Sequence, residues 1–192
     1  MRRSLALVLA SVSVFAATAI ALDAPSGAKR EPHGPALLVA AEVPNDVRLL
    51  ASATWARFLD AFPARRGCIS PVALRHAWTL PDRATYHPDE RVVVLRVPGT
   101  AASLRATLIH EFAHHLELSC PAHGSLRDPF LAAIGSDSGS PWFAGRRWQD
   151  VPSERFAEAV TVYVLGRVPS HLRVHVPGAA LEEIERWGTA LE

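Results

Sequence analysis

The sequence predicts an α+β domain in which helices pack on a small twisted sheet. Three patterns lead to this prediction: apolar side chains recur at helical spacing over residues 45–62 and again over 103–118, and a continuous β-branched run occupies residues 91–97. The chain has 192 residues, of which 49% are hydrophobic and 20% charged, enough for one well-filled core.

Residues 1–21 have the pattern of a secretory signal peptide. Two arginines open the chain, an uncharged run extends from Ser4 to Leu22, and Ala19 and Ala21 form an A-x-A cleavage pattern. An uncleaved membrane anchor is the alternative interpretation. We therefore predict a secreted or extracytoplasmic protein with a flexible leader at residues 22–40 and one folded domain at residues 41–192.

The charge balance argues against a polyanionic partner. Removal of the signal takes away two of the 20 basic residues and leaves 18 against 19 acidic residues. A mature chain this close to neutrality has no excess of basic residues with which to bind nucleic acid.

The chain contains two cysteines, Cys68 and Cys120. In an oxidising compartment, an isolated pair of cysteines is more often a disulfide than two free thiols. We expect the pair to be bonded and to join the segment before the strands to the end of a central helix.

The first half of the domain should contain one helix and two strands. Residues 45–62 form an amphipathic helix with Asn45 or Asp46 as its cap. Residues 72–80 and 91–97 are typical of strands, and the intervening sequence PDRATYHPDE has the prolines and acidic residues of turns.

The middle of the domain should contain a long helix followed by loops. Thr100 or Ser103 can cap a helix that runs to about Leu118. Residues 120–152 are rich in Gly, Ser, Pro and Asp, with one short helical pattern at 128–134. Loops of this length in a small domain are often functional.

Two helices should complete the domain. The first begins at Ser153 with a capping arrangement and ends near Gly166, and the second covers residues 179–187. The apolar face of the first consists of Phe156, Val160, Tyr163 and Val164.

The central helix carries an HExxH motif, formed by His110, Glu111 and His114. At 100° per residue, the two histidines lie on one face of the helix, one turn apart, so both imidazoles can reach one metal ion. Glu111 can take a proton from a metal-bound water and return it to a leaving amine. The alternative is a helix whose histidines are merely exposed or packed.

A catalytic zinc ion needs a third protein ligand, and the helix that begins at Ser153 offers Glu154 and Glu158. HExxH followed by ExxxE on a separate helix resembles the gluzincin metallopeptidases, and the string ERFAEA is similar to that of lethal-factor-like catalytic domains. The resemblance implies a zincin-like fold, with an active-site helix and a glutamate helix facing each other across a cleft. It also implies that Glu154 binds Zn²⁺ and that Glu158 orients one of the histidines.

Other third ligands are less compatible with the pattern. A metzincin would have a glycine and a histidine where this chain has Glu117 and Cys120. His123 could reach back from a loop, although a loop histidine is more often solvated. His115 is rotated 100° from His114 and should point elsewhere.

The chain departs from the lethal-factor-like pattern in one respect. Those enzymes place an oxyanion-stabilising tyrosine in the loop before the glutamate helix, whereas this loop has none, and Tyr163 is better explained as a core aromatic residue. Trp142, Phe143 and Trp148 of the same loop could form a wall of the substrate pocket or anchor the loop to the core.

The sequence thus predicts an exported zinc-dependent peptidase. A zinc-bound water would attack the peptide carbonyl, with Glu111 as general base and then acid. The strand at 91–97 could bind a peptide or protein substrate along its edge, although a buried strand would have the same sequence. The alternative is a non-catalytic exported binding protein on a degenerate zincin scaffold.

Overall fold

Four strands and five α-helices make up the described part of the chain, residues 35–169 and 174–190 of a computed structural model. The strands are Leu37–Val39 (β1), Val72–Ala77 (β2), Ala84–His87 (β3) and Val92–Arg96 (β4). The helices are Asn45–Ala61 (α1), Ala101–Ser119 (α2), Gly124–Ala133 (α3), Pro152–Leu165 (α4) and Gly178–Thr189 (α5). The predicted α+β class is confirmed.

The sheet is mixed, with strand order β1-β2-β4-β3. The first three of these strands are parallel, and β3 pairs antiparallel with β4 at the edge. The expectation that the strand at 91–97 could offer its edge to a substrate is wrong, because β4 pairs on both sides. Among the described strands, β1 and β3 lie at the edges of the sheet, and β3 lies in the stretch PDRATYHPDE, where the sequence predicts turns.

The core forms where α1 and α2 pack against each other and the sheet. The predicted amphipathic helix is confirmed: Trp55 and Phe58 of α1 and Phe62 directly after it are buried, and Trp55 packs edge-on against Phe112 of α2 with ring centroids 4.8 Å apart. Each aromatic residue of this size removes 150–250 Å² from water. This packing holds α2, the helix with the HExxH motif, against α1 at Phe112.

Side-chain caps are used less than the sequence suggests. Thr100 caps α2 by accepting a hydrogen bond from the Ser103 N–H at 3.2 Å, as predicted. The caps expected at Asn45 or Asp46 and at Ser153 are not formed, because α1 and α4 each begin without a side-chain hydrogen bond. At α4 the Ser153 N–H donates to the Trp142 carbonyl at 3.0 Å, so the loop supplies the acceptor instead.

Helix α3 begins at Gly124, four residues earlier than the predicted start at 128, and contains Pro129. Residues 135–151 then form an irregular connection to α4, which we call the 135–151 loop. Helix α4 ends at Leu165 and is followed by Gly166, whose φ of 66° is left-handed and favours glycine at a helix terminus.

The predicted disulfide is confirmed: Cys68 and Cys120 are bonded, with Cα atoms 4.8 Å apart and a sequence separation of 52. Cys120 follows the last residue of α2. The bond therefore attaches the C-terminal end of α2 to the segment between α1 and β2.

The signal prediction at residues 1–21 and most of the predicted leader lie outside the described residues. Strand β1 occupies residues 37–39, within the segment predicted as the leader. Within the described ranges, none of the helices combines the length and hydrophobicity that a membrane span requires.

Candidate functional site

The two histidines of the HExxH motif project from the same face of α2, one turn apart. Their rings have centroids 4.9 Å apart, and the Nε2 atoms of His110 and His114 are 3.2 Å apart. Both side chains are mostly buried, with 17% and 15% of their surface exposed. Two imidazole nitrogens this close together can both coordinate one metal ion.

Glu154 projects from the first turn of α4 toward the same point. Its Oε2 atom lies 3.1 Å from the Nε2 of His110 and 3.5 Å from the Nε2 of His114. A tetrahedral zinc ion with ligands at about 2.0–2.1 Å requires ligand atoms about 3.3–3.4 Å apart. The three residues therefore form a ligand triangle that could hold a metal ion, as the sequence predicted.

Interactions between the charged groups of the ligand triangle shift their pKa values. Burial by itself would raise the pKa of Glu154, but hydrogen bonds and charge interactions with His110 and His114 outweigh it and lower this pKa to about 2. Burial would lower the pKa of His114, whereas Glu117 and Glu154 raise it to about 10. Glu154 is therefore ionised at neutral pH, which is the form in which a carboxylate binds a metal.

Glu111 lies next to the ligand triangle and lines the same cleft. Its side chain is buried, and burial raises its pKa, although His110 and His114 partly offset the effect. The backbone N–H of Tyr86 in β3 donates a hydrogen bond to the carboxylate. Glu111 is thus held between the sheet edge and the ligand triangle, and its raised pKa brings it closer to the range in which a carboxylate both takes and gives a proton.

Glu158 lies one turn after Glu154 on α4. Its Oε1 atom is 3.9 Å from the Nδ1 of His110, on the side of the imidazole that faces away from the ligand triangle. This distance is within ion-pair range but too long for a direct hydrogen bond. The position is compatible with the orienting role that the sequence resemblance implies for Glu158.

Sequence reasoning missed Glu117, which contacts the other histidine. Its Oε1 atom is 2.7 Å from the Nδ1 of His114. The signal was the spacing, since residues three apart on a helix share a face. Carboxylates three residues after a histidine are common on exposed helices, so the spacing alone does not show that Glu117 contacts His114.

The remaining histidines near the motif do not join the ligand triangle. His115 contacts the hydroxyl of Tyr86 through Nδ1 and the carbonyl of Ser70 through Nε2, both at 2.8 Å. His123 is fully buried among aromatic rings, with ring centroids 5.1 Å from Trp142 and 4.7 Å from Phe156. The sequence-based preference for Glu154 over these two residues agrees with the geometry.

The ligand triangle opens into a cleft of about 740 Å³. Residues 84–86 of β3 line this cleft, together with the apolar side chains of Leu118, Phe143 and Trp148. The indole of Trp148 stacks on His110 with centroids 6.1 Å apart and planes 19° apart.

A comparison with known proteins finds no matching family model, no matching curated protein and no matching solved structure. The function must therefore be argued from the geometry of the site.

The two interpretations of the loop aromatics apply to different residues. Trp142 is 6% exposed and anchors the 135–151 loop to the core, whereas Phe143 and Trp148 are 54% and 40% exposed and line the cleft. Tyr163 packs against Phe62 with centroids 5.8 Å apart, as expected for a core aromatic residue.

Proposed function

We propose that this chain is an exported zinc-dependent peptidase of the gluzincin type. The observation that carries the proposal is the ligand triangle, in which His110, His114 and Glu154 bring three ligand atoms within 3.5 Å of one another. Glu111 lines the cleft onto which this triangle opens. Three protein ligands, an open side and an adjacent carboxylate are the features of a hydrolytic zinc site.

The residues of the chain divide the chemistry between them. When bound, zinc would supply Lewis-acid polarisation and make a ligated water more acidic. Glu111 would accept the proton of the attacking water on its carboxylate and deliver it to the leaving amine. The Tyr86 N–H fixes the carboxylate orientation, so little reorganisation is needed for this transfer.

The free edge of β3 supports a peptide as the substrate. The Arg96 N–H donates a hydrogen bond to the carbonyl of Arg83, the residue before β3, at 2.8 Å. Because hydrogen-bonded positions alternate along an antiparallel pair of strands, every second residue of β3 then directs its backbone N–H and C=O groups toward β4. The backbone N–H and C=O groups of Ala84 and Tyr86 therefore point away from β4, and the Tyr86 N–H contacts Glu111. An extended peptide could pair with the remaining groups and place a carbonyl beside the ligand triangle.

The Cys68–Cys120 disulfide supports export, because such bonds persist in oxidising compartments outside the cytoplasm. The predicted signal at residues 1–21 agrees with this location. Detection of the mature protein outside the cytoplasm, with the N-terminus determined by mass spectrometry, tests this part of the proposal.

The proposal predicts that Glu111→Gln abolishes peptide hydrolysis without loss of metal. The amide cannot accept the proton, so we expect kcat to fall by about 10²–10⁴-fold. Metal content of purified protein and cleavage of a peptide library are the two measurements. Glu182→Gln, which changes an exposed carboxylate of α5, is the matched control.

Three results would separate the alternatives. Full activity of the Glu111→Gln variant would show that Glu111 is not the general base. A wild-type protein that binds zinc but cleaves no peptide would support a non-catalytic binding protein, and one that binds no metal would leave only a structural role for the ligand triangle.

A further inference from the structure

Glu117 lies at the centre of a buried hydrogen-bond network beside the ligand triangle. Its side chain is 0% exposed, and three donors converge on its two oxygens. The His114 Nδ1 and the Ser153 hydroxyl contact Oε1 at 2.7 and 2.6 Å, and the Trp142 indole N–H donates to Oε2 at 2.6 Å. A buried carboxylate is costly unless it is satisfied in this way.

The network determines which nitrogen of His114 keeps its proton and which one can bind a metal. An ionised carboxylate only accepts hydrogen bonds, so the proton must reside on the Nδ1 of His114. With the Nδ1 proton held in this way, Nε2, which is 3.2 Å from the Nε2 of His110, is the nitrogen that gives up its proton and offers a lone pair when a metal binds. The carboxylate also fixes the plane of the ring.

The same carboxylate contacts two other parts of the site. Ser153 immediately precedes Glu154, so its hydrogen bond to Glu117 sets the start of α4 relative to α2. Trp142 belongs to the 135–151 loop, and the next residue, Phe143, lines the cleft. Glu117 therefore contacts His114 directly, and it also contacts the residue before Glu154 and the residue before Phe143.

We propose that Glu117 is a positioning residue that orients His114 for metal binding and holds the start of α4 and the 135–151 loop in register with it. This inference rests on the proposed function, since it assumes that the ligand triangle binds a metal. Glu117 itself does not contact the metal position, because its carboxylate lies on the Nδ1 side of His114.

The test is the zinc affinity of Glu117→Gln, measured by competition with a chromophoric chelator. The amide keeps the size of the side chain but has only one acceptor oxygen, so at least one of the three donors loses its partner. We expect the affinity to fall by about 10–100-fold. In the zinc-bound protein, the Nδ1 proton of His114 should exchange with water faster in the variant than in the wild type, which ¹H–¹⁵N NMR can follow.

Two further variants separate positioning from simple loss of stability. Ser153→Ala removes one hydrogen-bond donor to Glu117 but leaves the carboxylate, so it should weaken zinc binding several-fold. This variant tests the inference independently if Glu117→Gln fails to fold. Thr54→Val removes a buried hydrogen bond to the Leu50 carbonyl in α1, away from the site, and should lower stability without changing zinc affinity.

The outcomes distinguish this inference from the proposed function. If the wild-type protein binds zinc and both Glu117→Gln and Ser153→Ala bind it equally well, Glu117 has no positioning role and the proposed function stands. If the wild-type protein binds no zinc, the proposed function is wrong and this inference is wrong with it.

Discussion

His123 shows how burial alone changes the behaviour of a single residue. No part of its imidazole is exposed, and within the described ranges neither ring nitrogen has a hydrogen-bond partner. Burial lowers the pKa of His123 to about 4, although the charge of Glu117 partly opposes the shift. The ring therefore remains neutral in the folded protein under conditions where it would be protonated in the unfolded chain.

We expect His123 to destabilise the protein as the pH falls. Above pH 6.5 the residue is neutral in both states and contributes nothing, whereas between pH 6.5 and 4 only the unfolded chain takes up the proton. The loss of unfolding free energy should reach about 3 kcal/mol near pH 4. The measurement is the free energy of unfolding in urea, determined at pH 7 and at pH 4 for the wild-type protein and for His123→Phe. The loss between the two pH values is then compared between the two proteins.

The Phe variant should lose less stability than the wild-type protein over this interval, because its side chain does not titrate. Equal losses for the two proteins would show that His123 is hydrated or protonated in the folded state.

Sequence reasoning located the ligands better than their supporting residues. The histidine pair follows from the geometry of one helix, so its spacing is visible in the sequence. Glu154 was reached through a family resemblance, since 40 residues separate it from His114 and no local rule joins them. Glu117 could not be found in this way, because its role depends on Trp142 and Ser153, which reach it only after folding.

At the scale of elements, Gly145 lets the 135–151 loop fold closely on itself. A Cβ atom at this position would lie 2.8 Å from both the carbonyl carbon of Asp150 and the nitrogen of Val151. Both neighbours are backbone atoms, so they cannot move aside as a flexible side chain would. Any side chain here must displace the loop segment that includes Phe143 and Trp148.

We predict that Gly145→Ala lowers stability by about 1–3 kcal/mol, the usual cost of overpacking, and raises the KM for peptides several-fold. KM should change because Trp148 would lose its stacked position on His110. Gly124→Ala is the matched control, since a Cβ there meets nothing within 4 Å. An unchanged KM for Gly145→Ala would mean that this part of the loop does not contact the substrate.

Helices were easier to predict than the short strand β3. Helices α1 and α2 have 17 and 19 residues, long enough for an apolar period to stand out. Strand β3 has four residues, in a sequence whose prolines and acidic residues are typical of turns. Pairing with β4, a tertiary contact, decides its structure, and so the edge of the cleft could not be assigned from the sequence.

At the scale of the whole molecule, the Cys68–Cys120 disulfide restricts the unfolded chain. It joins positions 52 residues apart, and closing a loop of this size in the unfolded state corresponds to about 4 kcal/mol of stabilisation. We predict that the double variant Cys68→Ala/Cys120→Ala loses stability by this order of magnitude. Guanidinium unfolding of the variant and of the oxidised wild-type protein provides the comparison.

Reduced wild-type protein is the control, because it lacks the disulfide but not the cysteine side chains whose removal creates a cavity in the variant. Its midpoint of guanidinium unfolding should lie near that of the variant. Equal midpoints for oxidised and reduced wild-type protein would contradict a stabilising role of the bond.

The α+β class could be predicted because it depends on the number and type of elements, which composition and periodicity reveal. The strand order could not, because β4 lies between β2 and β3 as a consequence of contacts between distant segments. The position of the cleft depends on that order.

The position of Cys120 directly after α2 has a practical consequence for handling the protein. Dithiothreitol would cleave the cross-link at the end of the helix that bears His110 and His114, and its thiolates also chelate zinc. If the proposed function holds, this reagent would remove both the cross-link and the metal, so zinc-binding and peptidase assays should be run in buffers free of thiols.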